Sequence, residues 1–180
     1  MKNINSIVVM LFALLLFSCS TEPAKPSISK EETNKQISEL KSKIQDGGFK
    51  VNEERIPMQI IGLYTKYADA FPDDSLSQKY LFECAQVNVG LGFSPEAIAN
   101  LDTIVARYPN AEIAPSALQF KAFILDDRMH RWQKAAEVID ELVEKYPDSD
   151  IIENAKAYKE TLGKSPEQII REMEAKNKAK

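Results

Sequence analysis

The sequence predicts an all-α protein whose body is an α-solenoid of repeated helix pairs. Three observations carry that prediction. An aromatic–proline step recurs at Phe71-Pro72, Tyr108-Pro109 and Tyr146-Pro147, spaced by 37 and 38 residues. Counted back from each proline, the same offsets are apolar: Ile60, Ala97 and Ala135; Tyr64, Leu101 and Ile139; Tyr67, Ile104 and Leu142; Ala68, Val105 and Val143. No stretch of strand length alternates apolar with polar residues. The offsets put one apolar stripe on a helix of about four turns. Proline then ends each helix, because it has no N–H to donate and disfavours helix in the residue before it. Helix pairs recurring at this period bury their apolar faces only against neighbouring pairs.

In chain order, the first segment is residues 1–18. Its apolar run, Ile7 to Phe17, holds 11 residues behind Lys2. Crossing a bilayer core takes about 20, so the length and flanks fit a removable signal segment. Leu16-Phe17-Ser18-Cys19 resembles the lipobox of bacterial lipoproteins. The resemblance implies cleavage before Cys19 and acyl lipid on its thiol and new amino group, an anchor that several chains together make stable. No other cofactor is expected. Ser20 after the cysteine implies sorting to the outer membrane, with the domain facing the periplasm. Residues 19–28 read as a polar spacer.

Residues 29–48 read as an N-terminal helix opened by the capping box Ser29-Lys30-Glu31-Glu32 and closed by Asp46-Gly47-Gly48. Its stripe of Ile37, Leu40 and Ile44 is narrow, so this helix either packs lightly on its own chain or joins another. From residue 49 to 180 the pattern predicts the repeat domain. After each aromatic–proline step a first helix is expected: Leu76–Leu91, Ile113–Asp127 and Ile151–Leu162. Ser94-Pro95-Glu96 opens a second helix, with serine as cap and proline in the first turn. Ser165-Pro166-Glu167-Gln168 opens the last one with a capping box. That C-terminal helix, reaching Ala175, is expected to shield the open end of the array.

The repeats resemble the tetratricopeptide repeat. Its small residue in the first helix corresponds to Ala85 and Ala122, its alanine in the second to Ala97 and Ala135, its large apolar position to Leu101 and Ile139, and its closing proline to Pro109 and Pro147. Two repeats match in register across Lys79 to Pro147, with a partial repeat on either side; Glu160 stands where the last would need a small residue. The tyrosine–proline endings are similar to those of the tetratricopeptide lipoprotein of the outer-membrane β-barrel assembly machinery and of the Tol–Pal periplasmic protein. The resemblance implies a noncatalytic, membrane-anchored adaptor that holds a protein or peptide segment of the cell envelope along a concave face. It implies Lys79, Phe82, Gln86 and Val89 from one repeat, and Ser116, Gln119, Phe123 and Asp126 from the next, as the lining. Phe82 and Phe123 would then be apolar anchors, although aromatic stripes on helices serve equally as core. The alternative is an oligomeric spacer of the envelope that self-associates through the N-terminal helix.

Catalysis finds little support. One histidine, His130, lies in the stretch Asp127-Arg128-Met129-His130-Arg131, and no set of ligands has metal spacing around it. Cys84 is left alone once Cys19 carries lipid, and no cationic neighbour in sequence would activate it. Asp126 and Asp127 point about 100° apart on a helix and are poorly placed to share a site. A net charge of −4 with no basic patch gives no reason to expect nucleic acid. Phe71, Tyr108 and Tyr146 read as wedges that pack each helix end. Trp132 is expected to close the longer loop of its repeat.

Overall fold

The computed structural model describes residues 28–47 and 55–178. The signal segment, Cys19 and the spacer up to residue 27 lie outside the described residues. The fold is all-α: α1 (Lys30–Gly47), α2 (Arg55–Ala70), α3 (Ser75–Gly90), α4 (Ser94–Arg107), α5 (Ile113–Phe123), α6 (Trp132–Lys145), α7 (Ile152–Lys159) and α8 (Pro166–Lys178). One π-helical turn, Ile124–Arg128, extends α5. From α1 to α7 each helix packs mainly on the one before it and the one after it, and the short linkers place neighbours antiparallel.

The aromatic–proline steps build three matching turns. The carbonyls of Phe71, Tyr108 and Tyr146 accept from the N–H groups of Asp74, Ala111 and Ser149, at 3.0, 3.0 and 3.1 Å. The carbonyls of those three residues accept in turn from Ser77, Ala114 and Ile152. Tyr108 and Tyr146 have nearly the same backbone, with φ/ψ of −128°/54° and −131°/54°. Tyr108 also reaches back, its phenol donating to the Pro72 carbonyl at 2.7 Å and so linking one turn to the next.

The residues marked by the periodicity form the seam. Ile60, Tyr64, Tyr67 and Ala68 of α2, Ala97, Leu101 and Ile104 of α4, and Ala135, Ile139 and Leu142 of α6 are all buried. Each aliphatic side chain of leucine size contributes about 1.5–3 kcal/mol by leaving water. Ala85 and Ala122 are fully buried where α3 and α5 cross their partners. A larger side chain there would force the helices apart.

α1 belongs to this core. Ile37 is buried with Ile60, Tyr64, Tyr67 and Tyr80, and Leu40 and Ile44 pack against them. Polar contacts reinforce the packing: Tyr80 donates to Asn34 at 2.8 Å, and Lys41 pairs with Glu83 at 2.6 Å. The stripe that could have met a second chain is therefore used inside this one. Of the Ser29 box, one half forms: Ser29 Oγ accepts from Glu32 N–H at 3.4 Å, while the Glu32 carboxylate accepts from Gln36.

Four expectations need correction. Ser94 is the first helical residue and not the cap; Phe93 holds the cap position without a side-chain bond. The residues expected as one helix over Ile113–Asp127 divide into α5 and the π turn. α7 stops at Lys159 rather than Leu162. α8 does have its reciprocal box, Gln168 N–H to Ser165 Oγ and Ser165 N–H to the Gln168 side chain, but it does not shield the end of the stack. Ile170 and Met173 are 56 % and 59 % exposed. Register explains the failure: the places that hold Ala97 and Leu101 in α4 fall on Gln168 and Glu172 in α8, and burying those side chains without partners would cost more than it returns. Glu172 instead pairs with Lys164 of its own linker at 2.6 Å.

Asp74 caps α3, its Oδ1 accepting from Leu76 N–H at 2.9 Å, and its other oxygen pairs with Lys30 of α1. The Lys30 bond, then the Leu76 bond, hold its carboxyl below the usual carboxylate range. A depressed folded pKa means the stabilisation is present above the unfolded value, about 3.9, and disappears as pH falls through the lower folded value. We expect Asp74→Asn to reduce stability near neutral pH and to flatten the acid limb of the stability–pH curve below about pH 4, as read by urea unfolding at a series of pH values.

Among the described residues, three left-handed ones, Gly92, His130 and Gly163, close helix ends. Gly163 has φ 71° and lies against the Trp132 ring, where an added Cβ would sit 3.1 Å from the indole. His130 adopts φ 54° at the end of the π turn. Gly163→Ala is expected to destabilise by about 1–2 kcal/mol and His130→Gly to stabilise by up to about 1 kcal/mol, both measured by chemical denaturation.

Candidate functional site

The first helices of successive pairs, α3, α5 and α7, share an open pocket of about 500 Å³. α3 supplies Phe82 and Gln86; α5 supplies Ser116, Gln119, Phe120 and Phe123; α7 supplies Tyr158. Helical spacing of three and four residues brings these side chains onto one face. The phenylalanines form a ladder: Phe82 and Phe120 ring centres lie 5.7 Å apart, and Phe120 and Phe123 6.3 Å apart with nearly parallel planes. Phe82 and Phe120 are half-buried and rest on the core of Leu81, Leu101 and Ile124. Phe123 is 38 % exposed. The Phe82 ring therefore has two jobs, one edge on the core and another on the pocket.

Two polar side chains of the lining are unengaged. The carboxamides of Gln86 and Gln119 have no side-chain hydrogen bond among the described residues. Each offers a donor and an acceptor, which suits a peptide backbone. Tyr158 closes the far side, donating its hydroxyl to Asp126 at 2.8 Å. Burial and then that bond push its phenol pKa up, so it stays a neutral donor at ordinary pH.

Of the lining read from the sequence, Phe82, Gln86, Ser116, Gln119 and Phe123 come together here. Lys79 lies next door, in a notch with Ser75, Glu112 and Asp150 that shares Ser116. Val89 does not line the pocket; it is partly buried and packs against the core that holds Leu81, Leu101 and Ile124. Asp126 sits behind the wall and acts on Tyr158. Phe120 and Tyr158 were missed, and both occupy the place just after the one held by Gln119. The repeat spacing pairs them, but Glu83 holds that place in α3, where it accepts the Tyr64 hydroxyl at 2.6 Å, and so obscures the pattern.

No group of three or more metal-ligating side chains occurs among the described residues, and no described helix is long and apolar enough to cross a membrane. Cys84 is buried between the amides of Asn88 and Asn100, which approach its sulfur to 3.6 and 3.4 Å. Burial raises its pKa, opposed by hydrogen bonds from its neighbours. Thiol reagents need the thiolate and access, so Cys84 should resist them in the folded protein and react fully in denaturant, a contrast readable with a chromogenic disulfide. No protein-family model, curated protein or solved structure matches the chain.

Proposed function

We propose that this protein is a noncatalytic adaptor of the bacterial cell envelope. Its stacked helix pairs act as a tetratricopeptide-like α-solenoid, tethered to the outer membrane by lipid on Cys19, and hold a segment of another envelope protein. The observation that carries the reading is the pocket across α3, α5 and α7: a phenylalanine ladder beside two glutamine side chains that have no hydrogen-bond partner among the described residues. Aromatic anchors within a polar rim are how a small interface gains affinity. The glutamines would bond the backbone of an extended segment while the phenylalanines receive its apolar side chains. Assembly of outer-membrane proteins is the setting that fits such a holder.

A photocrosslinking residue in place of Gln119 tests this in intact cells. It should trap one envelope protein, with the trapped segment identified by mass spectrometry. Adding Phe82→Ala and Phe123→Ala should reduce the crosslink at least about tenfold, the effect of losing about 1.4 kcal/mol or more of anchor energy. Circular dichroism should keep its helical signal, because neither residue belongs to the fully buried seam. An undiminished crosslink from the double variant would remove the pocket from the account.

A further inference from the structure

The second repeat is one residue longer than the first, and the structure locates the extra residue. Counted forward from Pro72 and Pro109, α3 and α5 are in register through Ala85 and Ala122, both fully buried. By Ala97 and Ala135, also fully buried, the register has slipped by one. Between these points lies the π turn Ile124–Arg128. It is closed by the Met129 N–H donating to the Ile124 carbonyl, five residues back, at 3.1 Å. A π turn is how a helix absorbs one inserted residue without breaking. The two repeats then rejoin: Gly92 with φ 82° and His130 with φ 54° end their helices in the same left-handed conformation.

The insertion changes the pocket. Counted from the prolines, Asp126 stands where the shorter repeat has Val89, which packs against the core. The π turn buries Ile124 and Leu125 instead and leaves the Asp126 carboxylate accepting from the Tyr158 hydroxyl, 32 residues ahead. That bond crosses from the π turn to α7 and holds the phenol in the lining with Phe120 and Phe123.

We propose that the one-residue insertion builds the α7 side of the pocket, with Asp126 as the positioning residue that holds Tyr158 there, and that this side receives one aromatic side chain of the bound segment. The occupant rests on reading the pocket as the binding site; the positioning role of Asp126 does not. Three ring faces and an amide-lined mouth define the chemistry: a flat apolar group that stacks, attached to a backbone that hydrogen-bonds. Asp126 touches the phenol and not the ligand.

The test uses the full-length protein, labelled with nitrogen-15 and titrated with N-acetylphenylalaninamide. In the unaltered chain, amide shifts should cluster at Gln119, Phe120, Phe123 and Tyr158. Asp126→Ala should weaken binding by about fivefold, the effect of one positioning hydrogen bond, with helicity kept. Asp126→Asn, whose carboxamide oxygen still accepts the phenol proton, should bind like the unaltered chain. Deleting Asp127 restores the shorter period and should behave as Asp126→Ala; should the deletion fail to fold, the two point variants decide. The Tyr158 titration, followed with the ring labelled, gives a readout without ligand: the phenol should ionise at lower pH in Asp126→Ala than in the unaltered chain. Equal affinity in Asp126→Ala and the unaltered chain overturns the proposal and leaves the pocket standing as a binding site. Absence of any shift in the unaltered chain overturns the aromatic occupant and counts against the pocket reading; an unmoved Tyr158 titration in Asp126→Ala overturns the positioning role.

Discussion

Burial of one seam governs this molecule. No helix here can hide its stripe within itself, so each pair takes its core from the next pair along. Ala97, Leu101 and Ile104 are all fully buried because α3 lies on one side of α4 and α5 on the other. The aromatic–proline turns serve that seam by stopping each second helix at the same place and starting the following helix after the same pair of backbone bonds. Everything at the pocket follows from this. The first helices fall side by side, and residues at matching places, such as Phe82 and Gln119, face one opening.

Charge follows the same repeat. Asp102 pairs with Lys121 and Asp140 with Lys159, both pairs separated by 19 residues and both joining a second helix to the first helix of the next pair. Exposed pairs of this kind contribute little, about 0–1 kcal/mol each, and their effect is on which helix meets which. The pocket is treated differently: among the described residues Gln86 and Gln119 have no such partners. The contrast between satisfied junctions and an unsatisfied opening gives the binding reading its physical content.

The seam was legible in the sequence because it depends on spacing and side-chain size alone. Ile60, Tyr64 and Tyr67 needed no knowledge of neighbouring helices to be marked as buried. The pocket was half legible. Phe82 and Phe123 could be placed on one face, but Phe120 and Tyr158 depend on how far α5 and α7 rotate against each other. The π turn was hidden, since a period of 38 instead of 37 does not say where the extra residue sits. The ion pair that ties the Asp74 cap to Lys30 was also hidden, because the two residues lie 44 apart in sequence. α8 misled for a related reason: its capping box is real, yet the residues behind it do not supply the seam that a cap needs.

The Tyr108 phenol gives the molecule a mechanical asymmetry. Its bond to the Pro72 carbonyl rivets the first turn to the second. Tyr146 makes no matching bond to Pro109; an open gap of about 450 Å³ lies between them, bordered by Asn110 and Lys145. Load applied along the stack would therefore meet a bonded joint between the first two turns and an unbonded one between the second and third. Compliance would concentrate where Tyr158 and Asp126 span the same junction from the other face. A pull along the stack would then reach the wall of Phe120, Phe123 and Tyr158 before it reached the first turn.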